Sequence, residues 1–255
     1  MESGGQLKIQ TSKTAEETTA RMRQALFVGL FLLRAAAVAS LCLGLTAMAD
    51  IKPELPTMAA TGRAYYLTAK SGLAESNDTG LMTSYGLSVY AGSEKSVSVH
   101  LEGRNAAVSY ALNNAKMSQS EFSFLIKVYI GFFFIGAYGG STQHTITRSD
   151  SNTLDAFANQ YGGTAGMLVN IAKGSHLGVL LKGGVPVDLK ETNQQDVQMG
   201  LKLEGEICLN FSLTRDLVDL ETGFYYSTQS ASFGGAGNGE TLSAPFLGLS
   251  LNTDF

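Results

Sequence analysis

The sequence predicts an all-β protein: a closed, antiparallel, up-and-down transmembrane β-barrel of about ten strands, with eight and twelve also fitting. Three observations lead there. Long stretches alternate apolar and polar residues with a period of two, and the connections between them alternate short and long. The composition, finally, is rich in glycine and poor in proline and charge: 29 Gly, 4 Pro and 16% charged residues in 255. The average domain is nearer 25% charged. A net charge of −4 excludes nucleic acid as a partner, because phosphate binding needs clustered Lys and Arg. Mean hydropathy of +0.07 is too low for a bundle of membrane helices.

The first 49 residues read as an export signal. Residues 1–24 are polar, with Lys8, Lys13, Arg21 and Arg23 against Glu2, Glu16 and Glu17, and Ala25–Leu45 is apolar apart from Arg34. Ala47 and Ala49 give the small-x-small pattern of signal peptidase sites, placing cleavage between Ala49 and Asp50. A helical anchor over the same stretch would hold Arg34 near its centre, at about 2.5–3.5 kcal/mol. Met22, just before Arg23, gives a signal of more ordinary length and is an alternative start. Residues 50–60 form a periplasmic lead, and 61–255 the barrel.

Val197–Leu213 carries the clearest strand signal. Its odd positions include Val197, Met199, Leu201, Leu203, Ile207, Leu209 and Phe211; its even ones include Lys202, Glu204, Glu206 and Asn210. A helix would scatter those charges around its circumference, whereas a strand puts them on one face. The run is about three times the usual globular strand of 5–6 residues, which suits a tilted membrane crossing with an extension. Leu81–Ala91, Tyr161–Ile171, Leu177–Leu189 and Val218–Thr228 repeat the pattern. Between Phe122 and Phe134 every even residue is apolar, and this unbroken parity argues for one long strand. The strands then fall at approximately 61–70, 80–92, 96–103, 106–113, 120–142, 160–173, 176–189, 196–213, 216–229 and 241–255. Reading 96–113 as one strand and dividing 119–143 also gives ten. Short connections at 93–95, 173–175 and 214–216 mark the periplasmic end. Longer ones at 71–80, 144–159, 190–196 and 230–240 mark the outer end, so both termini are periplasmic. Tyr65, Tyr66, Tyr161, Tyr225 and Tyr226 are expected in interfacial girdles.

The chain ends Phe246-Leu247-Gly248-Leu249-Ser250-Leu251-Asn252-Thr253-Asp254-Phe255. With Leu247, Leu249 and Leu251 at alternate positions and a terminal Phe255, this resembles the closing strand of Gram-negative outer-membrane β-barrels. Thr253 departs from the pattern, standing where a bulky apolar residue or Tyr is usual. The whole mature chain is similar in pattern to the small opacity and adhesion type of barrel. The resemblance implies a place in the bacterial cell outer membrane, with outer-membrane lipid and the barrel-assembly machinery as partners. Leu247, Leu249, Leu251 and Phe255 would be the assembly signal. It also implies a monomer with a structural or surface-interaction role, an unidentified extracellular ligand, and contact loops at His144–Asn159 and Ser230–Glu240.

The remaining chemistry is sparse. Lys127, Lys182, Lys202, Glu102, Glu204, Glu206, Asp188, Asp219 and Glu221 are expected to face the lumen and to pair there, because unpaired buried charge is costly. Glu204 and Glu206 are expected near Lys182, with Asp219 and Glu221 forming an acidic wall. A lumen plugged by these charges is the main expectation, and a narrow ion or small-solute pore is the alternative. His100 is expected on a lumen face, His144 at the start of an outer loop and His176 in a periplasmic turn. Asp150 and Asp155 near His144 imitate a barrel hydrolase, yet no Ser completes the His-Ser pairing of lipid A deacylases. No enzyme and no cofactor are therefore expected, with a lipid or peptide hydrolase the outlying alternative. Cys42 lies in the signal and Cys208 is alone beyond it, so neither a disulfide nor a zinc site is expected.

Overall fold

The computed structural model describes residues 55–71, 77–92, 95–110, 115–147, 153–172, 174–191, 197–214, 217–233 and 236–253. Residues 1–49, the cleavage residues Ala47, Ala49 and Asp50, and Phe255 lie outside these. Ten strands form the fold: β1 (Met58–Ser71), β2 (Asn77–Ala91), β3 (Val97–Tyr110), β4 (Ala115–Ile130), β5 (Phe133–Thr147), β6 (Thr153–Ala172), β7 (Ser175–Glu191), β8 (Val197–Thr214), β9 (Val218–Phe233) and β10 (Ala236–Thr253). Each pairs antiparallel with its neighbours in sequence, and β1 pairs with β10 to close the barrel. Closure satisfies the edge strands, which lipid cannot do. Leu247 and Leu249 take part in it, opposite Ala64 and Gly62.

Leu101, Phe122, Phe124, Ile126, Val128, Leu203, Ile207, Leu249 and Leu251 are all exposed on the outside. Their polar neighbours Glu102, Ser123, Glu204, Glu206 and Ser250 are buried inside. That inversion of the usual globular arrangement is a lipid-facing belt around a polar interior. Beyond the belt, at the end opposite the start of β1 and the end of β10, outward positions turn polar: Thr68, Lys70, Thr79, Lys116, Ser118, Ser120 and Gln143 are exposed to solvent. The strands therefore project past the membrane.

Three expectations are corrected. Residues 120–142 are not one strand: Gly131, with φ of +63°, and Phe132 turn the chain between β4 and β5. A two-residue turn swaps which parity points outward, so Phe133 and Ile135 are exposed while Phe134 is buried. The run Phe132-Phe133-Phe134-Ile135 is apolar on both faces, which hides the swap. Correspondingly, 97–110 is one strand. Two of the long outer loops are mostly strand as well: β5 and β6 leave only 148–152 between them, and β9 and β10 only 234–235. Finally, Tyr66 and Tyr161 do face outward, but Tyr65 and Tyr225 lie inside, their rings edge to face at 5.8 Å.

The glycine excess has a packing role. A Cβ on Gly103 would strike the Tyr85 ring, on Gly139 the Phe124 ring, on Gly184 the Tyr138 ring and on Gly166 the Phe134 ring. Bare backbone on one strand lets an aromatic ring from the next strand, or for Gly184 the next but one, lie across it.

Candidate functional site in the barrel lumen

The strand register brings lumen-facing charges from β1, β3, β4, β7, β8 and β9 together. Glu204 sits at the hub: Lys182 Nζ is 2.5 Å and Arg104 Nη1 3.0 Å from its Oε2, and Lys202 Nζ is 2.7 Å from its Oε1. Arg104 also reaches Glu102 at 2.8 Å, and Lys202 reaches Glu121 at 2.5 Å across the lumen. Arg63 donates to Glu221 at 2.5 Å and to Glu206 at 2.8 Å. Tyr225 adds a hydroxyl bond to Glu204 at 3.2 Å and lies under the Arg104 guanidinium, 5.0 Å from ring centroid to Cζ. Each carboxylate is held by at least one cation, the condition for burying charge without severe cost.

The sequence-derived residues divide accordingly. Lys182, Lys202, Glu204, Glu206 and Glu221 all belong to this ionic layer. Lys127 lies apart, half-buried nearer the end where β1 begins and β10 ends, with Nζ 5.0 Å from the Phe134 centroid. Asp219 is also apart, accepting a hydrogen bond from Asn252 at 2.8 Å. Asp219 and Glu221 do not build an acidic wall, because Arg63 holds Glu221 and bridges it to Glu206, while Asp219 is bonded to Asn252. The side chain of Asp188 lies outside the described residues. Arg63, Arg104 and Glu121 were not singled out from sequence; the excess of inward acids over Lys182 and Lys202 was the available signal that two further cations had to enter.

The three histidines are dispersed. His100 Nδ1 is 2.6 Å from Ser88 Oγ, and His176 Nε2 is 2.6 Å from Asn210 Nδ2. His176 is the second residue of β7 and is not in a turn. His144 is not in a loop either; it is buried on β5, facing the lumen. Its Nδ1 is 3.5 Å from Glu240 Oε2, a contact between opposite walls of the barrel above the apolar belt. No metal-binding group of His, Cys, Asp and Glu occurs among the described residues, and Cys208 is a free, buried thiol.

Burial, aided by Lys202, lowers the His144 imidazole from 6.5 to about 3. Burial raises the Glu240 carboxyl from 4.5 to about 7, with Lys202 opposing. The two contribute opposite pH slopes to stability. A raised carboxyl stabilises fully below pH 4.5 and loses this as pH climbs through 7; a lowered imidazole stabilises fully above 6.5 and loses this as pH falls toward 3. Relative to the unaltered protein, His144→Gln should therefore become less stable as pH rises from about 3 to 6.5. Glu240→Gln should instead become less stable as pH falls from about 7 to 4.5. Urea midpoints taken across this range check it, and parallel profiles for all three proteins would contradict it.

No family model matches the sequence, and no characterised protein matches it closely enough to count as a relative. Solved barrels do share its general architecture. The outer membrane protease OmpT from Escherichia coli is 9% identical, covering 81% of this chain and 99% of that chain with a TM-score of 0.47. The Neisserial surface protein A is 11% identical over 77% of this chain and 97% of that chain, with a TM-score of 0.39. The translocator domain of the autotransporter NalP from Neisseria meningitidis is 12% identical over 86% and 96%, with a TM-score of 0.41. The likeness is one of barrel architecture.

Proposed function

We propose that the chain is a small, non-conducting outer-membrane barrel with a structural or surface-interaction role, presenting its projecting strands to the exterior. The observation that carries this reading is the cross-lumen ionic layer. Glu204, Lys182 and Lys202 are buried and mutually paired, and Lys202 spans from β8 to Glu121 on β4. A hydrated ion passing this level would have to break several charge-assisted bonds at once. The exposed rim supports the surface role: its outward residues are mostly Ser, Thr and Gln, with Lys70 and Lys116, well suited to contact in water. Planar-bilayer recording tests the reading. The intact protein should give no reproducible conductance steps, and regular steps in the unaltered protein would replace it with the pore alternative.

A further inference from the structure

The lumen changes character along its length, and one layer is not matched internally. From the level of the ionic layer outward, Gln119, Glu121 and Ser123 on β4 share a wall with Thr142 and His144 on β5 and Gln160 on β6. The register pairs Gln119 with His144 and Glu121 with Thr142, and sets Ser123 and Gln160 on either side of Gly140. The opposite wall offers Lys202, Gln229 and Glu240 in one row. Gln119 Oε1, Glu121 Oε1, Ser123 Oγ, Thr142 Oγ1, His144 Nε2, Gln160 Nε2 and Glu240 Oε1 are buried without a hydrogen-bond partner in the protein. Buried polar groups are ordinarily bonded, and leaving one unbonded costs about 1–3 kcal/mol. So many on adjoining strands mark a place built to bond something else.

The layer beyond it is apolar. Toward the outer end of each strand, Leu67 and Ala69 follow Arg63, Val108 follows Arg104, and Met117 lies beyond Gln119. Ile146 likewise lies beyond His144 and Met199 beyond Lys202, all of them buried in one cluster. Methionines repack readily around a guest. From these two layers we infer that the outer half of the lumen is a binding site for a small uncharged amphiphile, its hydroxyl or amide end on the Gln119–Thr142–His144–Gln160 wall and its apolar body among Met117, Ile146, Val108 and Met199.

The charge state follows from the donors and acceptors present. A cation would satisfy the oxygens but would meet the Lys202 ammonium and leave Gln160 Nε2 unbonded. An anion would meet the Glu121 carboxylate. A hydroxyl both donates and accepts, and so suits a wall that presents both kinds of atom. The guest reaches this layer from outside by displacing the methionines, and the ionic layer beneath stops it. The site thus binds without transporting, in keeping with the proposed non-conducting barrel; that reading rests on the ion pairs, and this one on the unbonded polar atoms beside them.

The test uses the full mature barrel in lipid nanodiscs and fluorine NMR with 4-fluorobenzyl alcohol. Empty nanodiscs correct for partition into lipid. Saturable binding to the barrel is expected. It should weaken about tenfold or more in Gln119→Met/Thr142→Val, the loss of two bonds of about 1 kcal/mol or more each. A fluorobenzoate and a fluorobenzylammonium should show no saturable binding, and glycerol should not displace the fluorobenzyl alcohol. Heat-dependent gel mobility confirms that the double variant is folded, and Met117→Trp, which fills the apolar layer, serves as a second blocking variant. Three results would overturn the inference: signals no different from empty nanodiscs, equal binding by the charged probes, or undiminished binding in both blocking variants. The inference can fail while the unaltered barrel still proves non-conducting, which keeps it distinct from the functional reading.

Discussion

Replacing Glu204 with Leu should lower the stability of the barrel by about 3–5 kcal/mol, the cost of removing one partner from a buried charge cluster. Glu204 is the shared acceptor for Arg104, Lys182 and Lys202. Without it, Lys182 keeps a 3.9 Å approach to Glu102 and the Tyr138 ring at 5.4 Å, whereas Arg104 and Lys202 retain Glu102 and Glu121. Lys182 is thus the main orphan. Glu204→Leu/Lys182→Met should accordingly recover part of the loss, because neighbours in one cluster are coupled rather than additive. Reversible urea unfolding in lipid vesicles measures both. A double variant no more stable than the single would show that Lys182 is not the group left exposed to the penalty.

The second large effect belongs to the outer face. Leu249 lies on β10 between exposed Leu247 and Leu251, in the belt, and pairs with Gly62 at the closing seam. Leu249→Arg should cost about 2–4 kcal/mol, the range for a cationic side chain on the lipid face near mid-depth. The same change at Thr68, exposed on β1 beyond the belt, should cost about 0–1 kcal/mol, as near the interfaces. In a water-soluble barrel the two positions would be equally tolerant, so the contrast between them reports the membrane.

The architecture was legible because the period-two signal needs only local sequence. Along Val197–Leu213, face and register read directly from alternating Leu and charged residues, and the exposed Leu203 beside buried Glu204 bears this out. Legibility failed where both faces carry the same kind of residue. Phe132 to Ile135 conceals a hairpin turn, and Arg63 goes unnoticed because its strand places Tyr65, Leu67 and Ala69 on the same inward face. The pairings that build the ionic layer are also far apart in sequence: Arg63 meets Glu206 and Glu221 across separations of 143 and 158 residues. Such contacts depend on barrel closure and shear, which no local pattern encodes. His144 was misplaced for a related reason. Polar residues around it suggested a loop, whereas they belong to a strand that has left the membrane and keeps its inward face.

The central claim is the division of each strand into a lipid-facing and a lumen-facing side. Single nitroxide labels on a Cys208→Ser background test it directly, placed outward at Leu101, Leu203 and Leu249 and inward at Ser88, Ser123 and Ser227. In bilayers the outward labels should collide freely with dissolved oxygen, which concentrates in lipid. The inward labels should be shielded from oxygen and from an aqueous nickel complex alike. Equal oxygen accessibility at both sets, or nickel accessibility at the outward set, would contradict the account.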